Sequence, residues 1–160
     1  MQVTEAVRGS RDIDEAAQIW AEATAARDGS QDVAGLGVSR PLIEALLDRS
    51  ADAFVLVATS GDGTVVGFAA VEPAAEAGRA EVSYLGVRPG SWGHGVGELI
   101  LRELRVRLAA GGYRGAQLLV YADNGRAVAL YERLGWRAAG APAPHPRTGK
   151  PEQRYELWLT

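Results

Sequence analysis

Apolar residues along this chain alternate between two spacings, and each switch marks an element. Gln2–Val7 reads as a short first strand. Ile13, Ala16, Ala17, Trp20 and Ala23 then recur at intervals of three and four, the spacing of one helix face. Asp12 or Asp14 is the expected N-cap, since a short acceptor side chain can satisfy a first-turn N–H. Arg27–Val38 is rich in Gly, Asp and Ser and reads as a loop. Ser39 and Pro41 are expected to open a second helix carrying Leu42, Ile43, Leu46 and Leu47. Ala53–Ala58 is a continuous apolar run, as a strand buried on both faces requires. The turn Ser60-Gly61-Asp62-Gly63 leads to a return strand, Val65–Val71. A small-residue turn over Pro73–Gly78 leads to another strand, Ala80–Val87.

Beyond a glycine cluster, Val96, Ile100, Leu104 and Leu108 form one stripe of a long helix that Gly111-Gly112 ends. Ala116–Tyr121 reads as a strand. Asp123 or Asn124 should cap the next helix, which sets Ala127, Leu130, Tyr131 and Leu134 on one face. Gly135 stops it, and Trp136 is placed to fold back as the apolar partner of a Schellman turn. Ala141–Pro146 reads as a proline-rich loop and Tyr155–Leu159 as a last strand. No repeat or linker divides the chain, so one domain over 1–160 is expected. The strand–helix–strand unit around the glycines should pair its strands in parallel, while the upstream hairpins are antiparallel. The fold class is therefore α/β with a mixed, mostly antiparallel central sheet and helices on both faces.

Composition narrows the function classes. The net charge is −3, which supplies no overall attraction to nucleic acid or to an anionic membrane. With no cysteine, disulfides, thiolate metal sites and a cysteine nucleophile are excluded. With two histidines, His94 and His145, no metal site is expected. No basic segment followed by an apolar run stands at the start, and no apolar stretch is long enough for a bilayer. A cytoplasmic protein is the expectation.

The most informative segment is Glu81–Gly97. A strand meets the break Pro89-Gly90, glycines follow at 93, 95 and 97, and a helix begins at once. Glycines allow a tight turn and remove Cβ atoms that would hold a ligand away. The N–H groups of the following helix point back into the loop at the positive end of its dipole. Together these make a place for a phosphate or diphosphate. A nucleotide-hydrolase loop needs Gly-Lys-Ser/Thr, but Val96 follows Gly95 and the one lysine is Lys150. A dinucleotide fingerprint needs a third glycine where Glu98 or Ile100 stands.

Trp92-Gly93-His94-Gly95-Val96-Gly97 resembles the Gln/Arg-x-x-Gly-x-Gly/Ala motif of the GCN5-related N-acetyltransferases, with Trp92 at the usual Gln/Arg position. Asn124-Gly-Arg-Ala127 with Leu130-Tyr-Glu-Arg-Leu-Gly-Trp136 resembles that family's second signature, in the same order. The resemblance implies acetyl-coenzyme A as cosubstrate and no metal. It implies that the parallel strand pair splays apart and that Leu85, Gly86 and Val87 give backbone partners to the pantetheine arm. It further implies that Trp92, Gly93, His94, Gly95, Val96 and Gly97 surround the diphosphate. Asn124 would hold the pantetheine or phosphate arm, and Arg126, Arg133 and Arg88 are candidate phosphate partners.

Acetyl transfer to an amine needs a neutral nucleophile, a stabilised carbonyl oxygen and a stabilised leaving thiolate. Glu81, four residues before Leu85, is the candidate general base; Glu72 and Glu76 are weaker candidates, read as solvated turn residues. By resemblance Tyr131 is the candidate acid toward the coenzyme A thiolate, and it can also contact the cofactor. Acceptor recognition is expected from Thr24–Val38, the turn near Pro73 and Gly140–Glu152, with Asp28 and Asp32 as ordinary loop carboxylates. The expected acceptor is a small-molecule primary amine. A protein N-terminus or lysine remains open, as does a non-catalytic acyl-coenzyme A binding module. Many members of the family dimerise, so a homodimer is among the expectations.

Overall fold

The computed structural model describes residues 1–29 and 35–159. It falls into two compact units, Met1–Glu72 with Val82–Leu104 and Pro73–Glu81 with Arg105–Thr160. Among the described residues run seven strands and four α-helices, with one parallel strand pair and mostly antiparallel neighbours.

In the first unit the strands β1 (Gln2–Glu5), β2 (Phe54–Thr59), β3 (Val65–Pro73) and the later part of β4 (Arg79–Val87) lie in that order. Helices α1 (Arg11–Arg27) and α2 (Leu36–Arg49) cover one face. Ile13, Ala16, Ala17 and Ile19 from α1 meet Ile43, Leu46 and Leu47 from α2 over Val55, Val57, Phe68 and Ala70. The opposite face meets the start of α3 (Val96–Ala110): a Cβ at Gly67 would lie 2.6 Å from Val96 Cγ1 and 2.9 Å from Ile100 Cδ1. Burial on both faces explains the unbroken apolar run of β2, because strands covered twice carry no polar alternation.

Two helix starts differ from the sequence reading. Ser10, not an aspartate, is the N-cap of α1; Asp12 and Asp14 sit in its first turn, where the helix dipole favours negative charge. Helix α2 begins at Leu36, so Ser39 and Pro41 fall inside it. Ser39 is buried, and its hydroxyl donates back to Gly35 O at 3.4 Å.

In the second unit the order is β4 (from residue 79 to 81), β5 (Gly115–Tyr121), β7 (Pro151–Trp158) and β6 (Arg137–Pro144). The parallel register pairs Arg79 with Gly115, Ala80 with Ala116 and Glu81 with Gln117. Ala116, Leu118 and Val120 of β5 are buried, as are Tyr155 and Leu157 of β7. Helix α4 (Gly125–Arg133) adds Tyr131, whose ring lies 6.0 Å from Trp136 and 6.1 Å from Tyr155.

The segment read as a proline-rich loop is largely β6. Its register against β7 shifts between Ala139 and Ala143, which places Pro142 in a bulge, and Pro144 ends the strand. Proline lacks the N–H a central ladder needs, so it survives at an edge strand and at bulges. Gln153 bridges the irregularity by donating from Nε2 to Ala139 O and Gly140 O at 3.2 and 3.1 Å.

Candidate active site

In the first unit, β4 ends with Leu85, Gly86 and Val87, and a short 3-10 turn over Pro89–Ser91 leads into the glycines. Gly93 and Gly95 adopt φ of 81° and 79°, the left-handed region that side chains other than glycine rarely occupy. His94 between them is exposed, and no protein atom lies within 4 Å of a Cβ placed on either glycine. Gly97, by contrast, lies inside α3. The first hydrogen bond of α3 runs from Leu99 N to Gly95 O at 3.1 Å. The N–H groups of residues 96–98 therefore precede the regular helical ladder and are oriented toward the loop.

Trp92, the departure from the familiar motif, acts as a brace. Its Nε1 donates to Val87 O at 2.8 Å, tying the loop to the end of β4. Gly86 lies under Phe68, where an added Cβ would be 2.9 Å from Cε1. Arg88, expected as a phosphate partner, is instead committed within the unit. It donates to Glu22 at 2.8 Å, to Glu15 at 3.3 Å and to Val65 O at 3.2 Å.

The same unit corrects the reading of Glu72. Rather than a solvated turn residue, it accepts two bonds from Arg49 at 2.9 Å each and one from Ser83 Oγ at 2.5 Å. The Arg49 guanidinium, helped by Ser83, holds its carboxyl below the ordinary range against the opposing effect of burial. Beside it Tyr84 packs edge-on to Trp20, with centroids 5.0 Å apart.

In the second unit, Glu81 occupies the last rung of the parallel ladder, beside Gln117. Gln117 Nε2 donates to Glu81 Oε1 at 2.8 Å, and Arg154 Nη2 donates to Gln117 Oε1 at 2.5 Å. Glu156, paired across β5 with Gln117, draws Arg79 at 2.9 Å and Arg154 at 2.8 Å. Glu76 also belongs here, 3.3 Å from Arg79 and 3.7 Å from Arg154. Sequence reading missed Gln117 and Arg154. The available signal was one polar residue inside the apolar run Ala116–Tyr121.

Asn124 is the N-cap of α4, its Oδ1 accepting from Ala127 N at 3.3 Å. At the other end Gly135 takes φ of 92°, with Trp136 N donating to Tyr131 O at 2.9 Å and Gly135 N to Glu132 O at 3.1 Å. This is the anticipated Schellman turn. Tyr131 is buried, and burial pushes its hydroxyl well above the ordinary phenol value. Arg126 and Arg133 are exposed on the first and last turns of α4.

Of the segments expected to meet the acceptor, Thr24–Arg27 finishes α1 and Asp28 accepts from Arg27 Nε at 3.1 Å, while Asp32 lies outside the described residues. Between β6 and β7, His145 Nδ1 accepts from the backbone N–H groups of Arg147 and Thr148, each at 3.1 Å. Among the described residues no group of three His, Asp or Glu side chains is arranged to hold a metal ion. None of the described helices is long and apolar enough to cross a membrane.

The first unit thus carries a glycine loop running into a helix N-terminus, and the second a parallel strand pair. Residues 17–136 match the family model described as "Acetyltransferase (GNAT) family", and the chain belongs to that family. A mycothiol acetyltransferase from Streptomyces avermitilis is 44% identical over 75 residues, which span 47% of this chain and 24% of that protein. The chain thus matches about a quarter of that relative's length. An N-acetyltransferase from Staphylococcus aureus Mu50 superposes with a TM-score of 0.79 at 18% identity, over 100% of both chains. The PaiA N-acetyltransferase from Thermoplasma acidophilum, solved in complex with coenzyme A, superposes with a TM-score of 0.73 at 16% identity, over 99% of each chain.

Proposed function

We propose that residues 1–160 form one catalytic domain that moves the acetyl group of acetyl-coenzyme A onto the primary amine of a small molecule. The observation that carries this reading is the pair of left-handed glycines, Gly93 and Gly95, opening directly into the N-terminus of α3. Such a loop offers several N–H donors to a diphosphate without a side chain in the way. The S. avermitilis relative, named for mycothiol, favours a small-molecule acceptor.

An alkyl ammonium has a pKa of about 10, so near neutral pH only about one molecule in a thousand is free base. Glu81 takes the proton that the amine must lose. The nitrogen then bonds to the thioester carbonyl carbon, the C–S bond breaks with its electron pair leaving on sulfur, and the second proton, shed by the new amide nitrogen, passes to solvent. Coenzyme A is a far stronger acid than the buried Tyr131 phenol, given an ordinary thiol pKa of about 8.5. Tyr131 therefore serves as a hydrogen-bond donor to sulfur as charge develops there, and retains its proton. Asn124, Arg126 and Arg133 are assigned to the pantetheine and phosphate arms. With no cysteine in the chain, the acetyl group passes directly, without a cysteine thioester intermediate.

Two measurements test this. Calorimetry with coenzyme A should show saturable binding, and Gly95→Val should weaken it at least tenfold, because φ of 79° suits glycine. Acetyl-coenzyme A with a panel of amino sugars, amino acids, polyamines and short peptides should release coenzyme A with one amine class, followed by mass of the acetylated product. Tyr131→Phe should lower kcat about tenfold while leaving coenzyme A affinity near wild type. No heat from coenzyme A or acetyl-coenzyme A would sink the proposal; binding without acetylation of any amine would favour a binding module.

A further inference from the structure

Gln117 is a buried polar side chain in β5, flanked by Ala116 and Leu118. Its surroundings determine which way its amide points. Arg154 carries only donors, so the Gln117 atom facing it must be the oxygen, and the NH₂ must face Glu81. The row across the strands places Glu81, Gln117 and Glu156 at directly opposed positions. Arg79 and Arg154 each donate to Glu156, at 2.9 and 2.8 Å, and Arg154 also reaches Gln117. Gln117 supplies Glu81 with an amide donor at 2.8 Å.

We infer that Gln117 is a positioning residue for the reaction: it fixes the rotamer of the Glu81 carboxylate and stands between that carboxylate and the Arg154 charge. The inference rests on the assignment of Glu81 as base. A carboxylate paired directly with a guanidinium becomes a weaker base, whereas an amide donor orients it at a smaller cost in basicity. The guanidinium of Arg154 acts through the amide, locking its orientation.

Glu81 can be followed directly by ¹³C NMR of the glutamate Cδ resonances, assigned by the signal lost in Glu81→Gln. In Gln117→Glu the two neighbouring carboxyls compete for one proton, and the apparent midpoint of the pair should rise by about one unit or more. In Gln117→Leu the carboxylate loses a donor to its charged form, so its midpoint also rises, by less. With acetyl-coenzyme A and the amine found in the panel, Gln117→Leu should lower kcat about tenfold with KM for the amine within about threefold. The acid limb of the Gln117→Glu pH profile should move with the NMR midpoint. Arg154→Met, at a half-exposed position, should shift the midpoint in the same direction as Gln117→Leu, and it stands in if the buried substitution fails to fold.

An unchanged Glu81 titration in Gln117→Glu and Arg154→Met overturns the inference. If Glu81→Gln nevertheless abolishes turnover, the function assigned to Glu81 survives without Gln117. If Glu81→Gln turns over like wild type, the base assignment fails and the role of Gln117 fails with it.

Discussion

Two glutamates, one in each compact unit, meet opposite fates. Glu72, near the end of β3, receives both guanidinium N–H groups of Arg49 and the hydroxyl of Ser83. Glu81, early in β4, receives the amide of Gln117, while the adjacent guanidinium groups are drawn to Glu156. Three donors, two of them charged, stabilise the carboxylate of Glu72 and make it a strut. At Glu81 the donor from the neighbouring strand is the uncharged amide of Gln117.

The comparison can be broken most directly at Glu81. Glu81→Gln should lower kcat by about 10²–10⁴-fold, the range for loss of a general base. Glu72→Gln should leave kcat within about threefold, because its carboxylate is assigned no proton transfer. Comparable losses of kcat in the two variants, measured by coenzyme A release, would erase the distinction.

Stability sharpens it at smaller magnitude. Glu72→Gln should cost about 1 kcal/mol in urea unfolding at neutral pH, a figure discounted because Arg49 is 53% exposed. The sign of the pH dependence follows from the lowered Glu72 value. Its contribution is fully present above the ordinary value of 4.5 and is lost as pH falls through the lower folded value. Wild type and Glu72→Gln should therefore converge in acid, and a gap that widens there would refute the assignment. The smallest effect belongs to Ser83→Ala, which removes one donor and leaves Arg49 in place. It should cost about 0.5–1 kcal/mol and raise the Glu72 titration slightly.

Much of this was legible in the residues. Helical spacing located α1, α3 and α4, and apolar runs bounded by turn residues located β2, β3 and β5. The glycine loop and the Asn124-to-Trp136 segment were legible as motifs, since both depend on local backbone geometry. Three features were hidden. Strand β6 was masked by Pro142 and Pro144, which propensity assigns to loops but an edge bulge accepts. The start of α2 was masked because Ser39 and Pro41 imitate an N-terminus while lying inside the helix. The Glu81–Gln117–Arg154 chain depends on the register of β4, β5 and β7, which local sequence does not encode. Arg88 misled for the same reason: its partners Glu15 and Glu22 lie more than sixty residues away.

Trp136 closes α4 by donating its backbone N–H to the carbonyl of Tyr131, and its ring lies 6.0 Å from the same tyrosine. The device that halts the helix is therefore also the seat of its buried phenol. Any replacement of Gly135 that forces the backbone out of its left-handed turn would tilt that ring as well as fray the helix. Drift at this glycine is coupled to the placement of a hydroxyl four residues upstream, so a change that looks purely architectural would reach the group proposed to face the leaving sulfur.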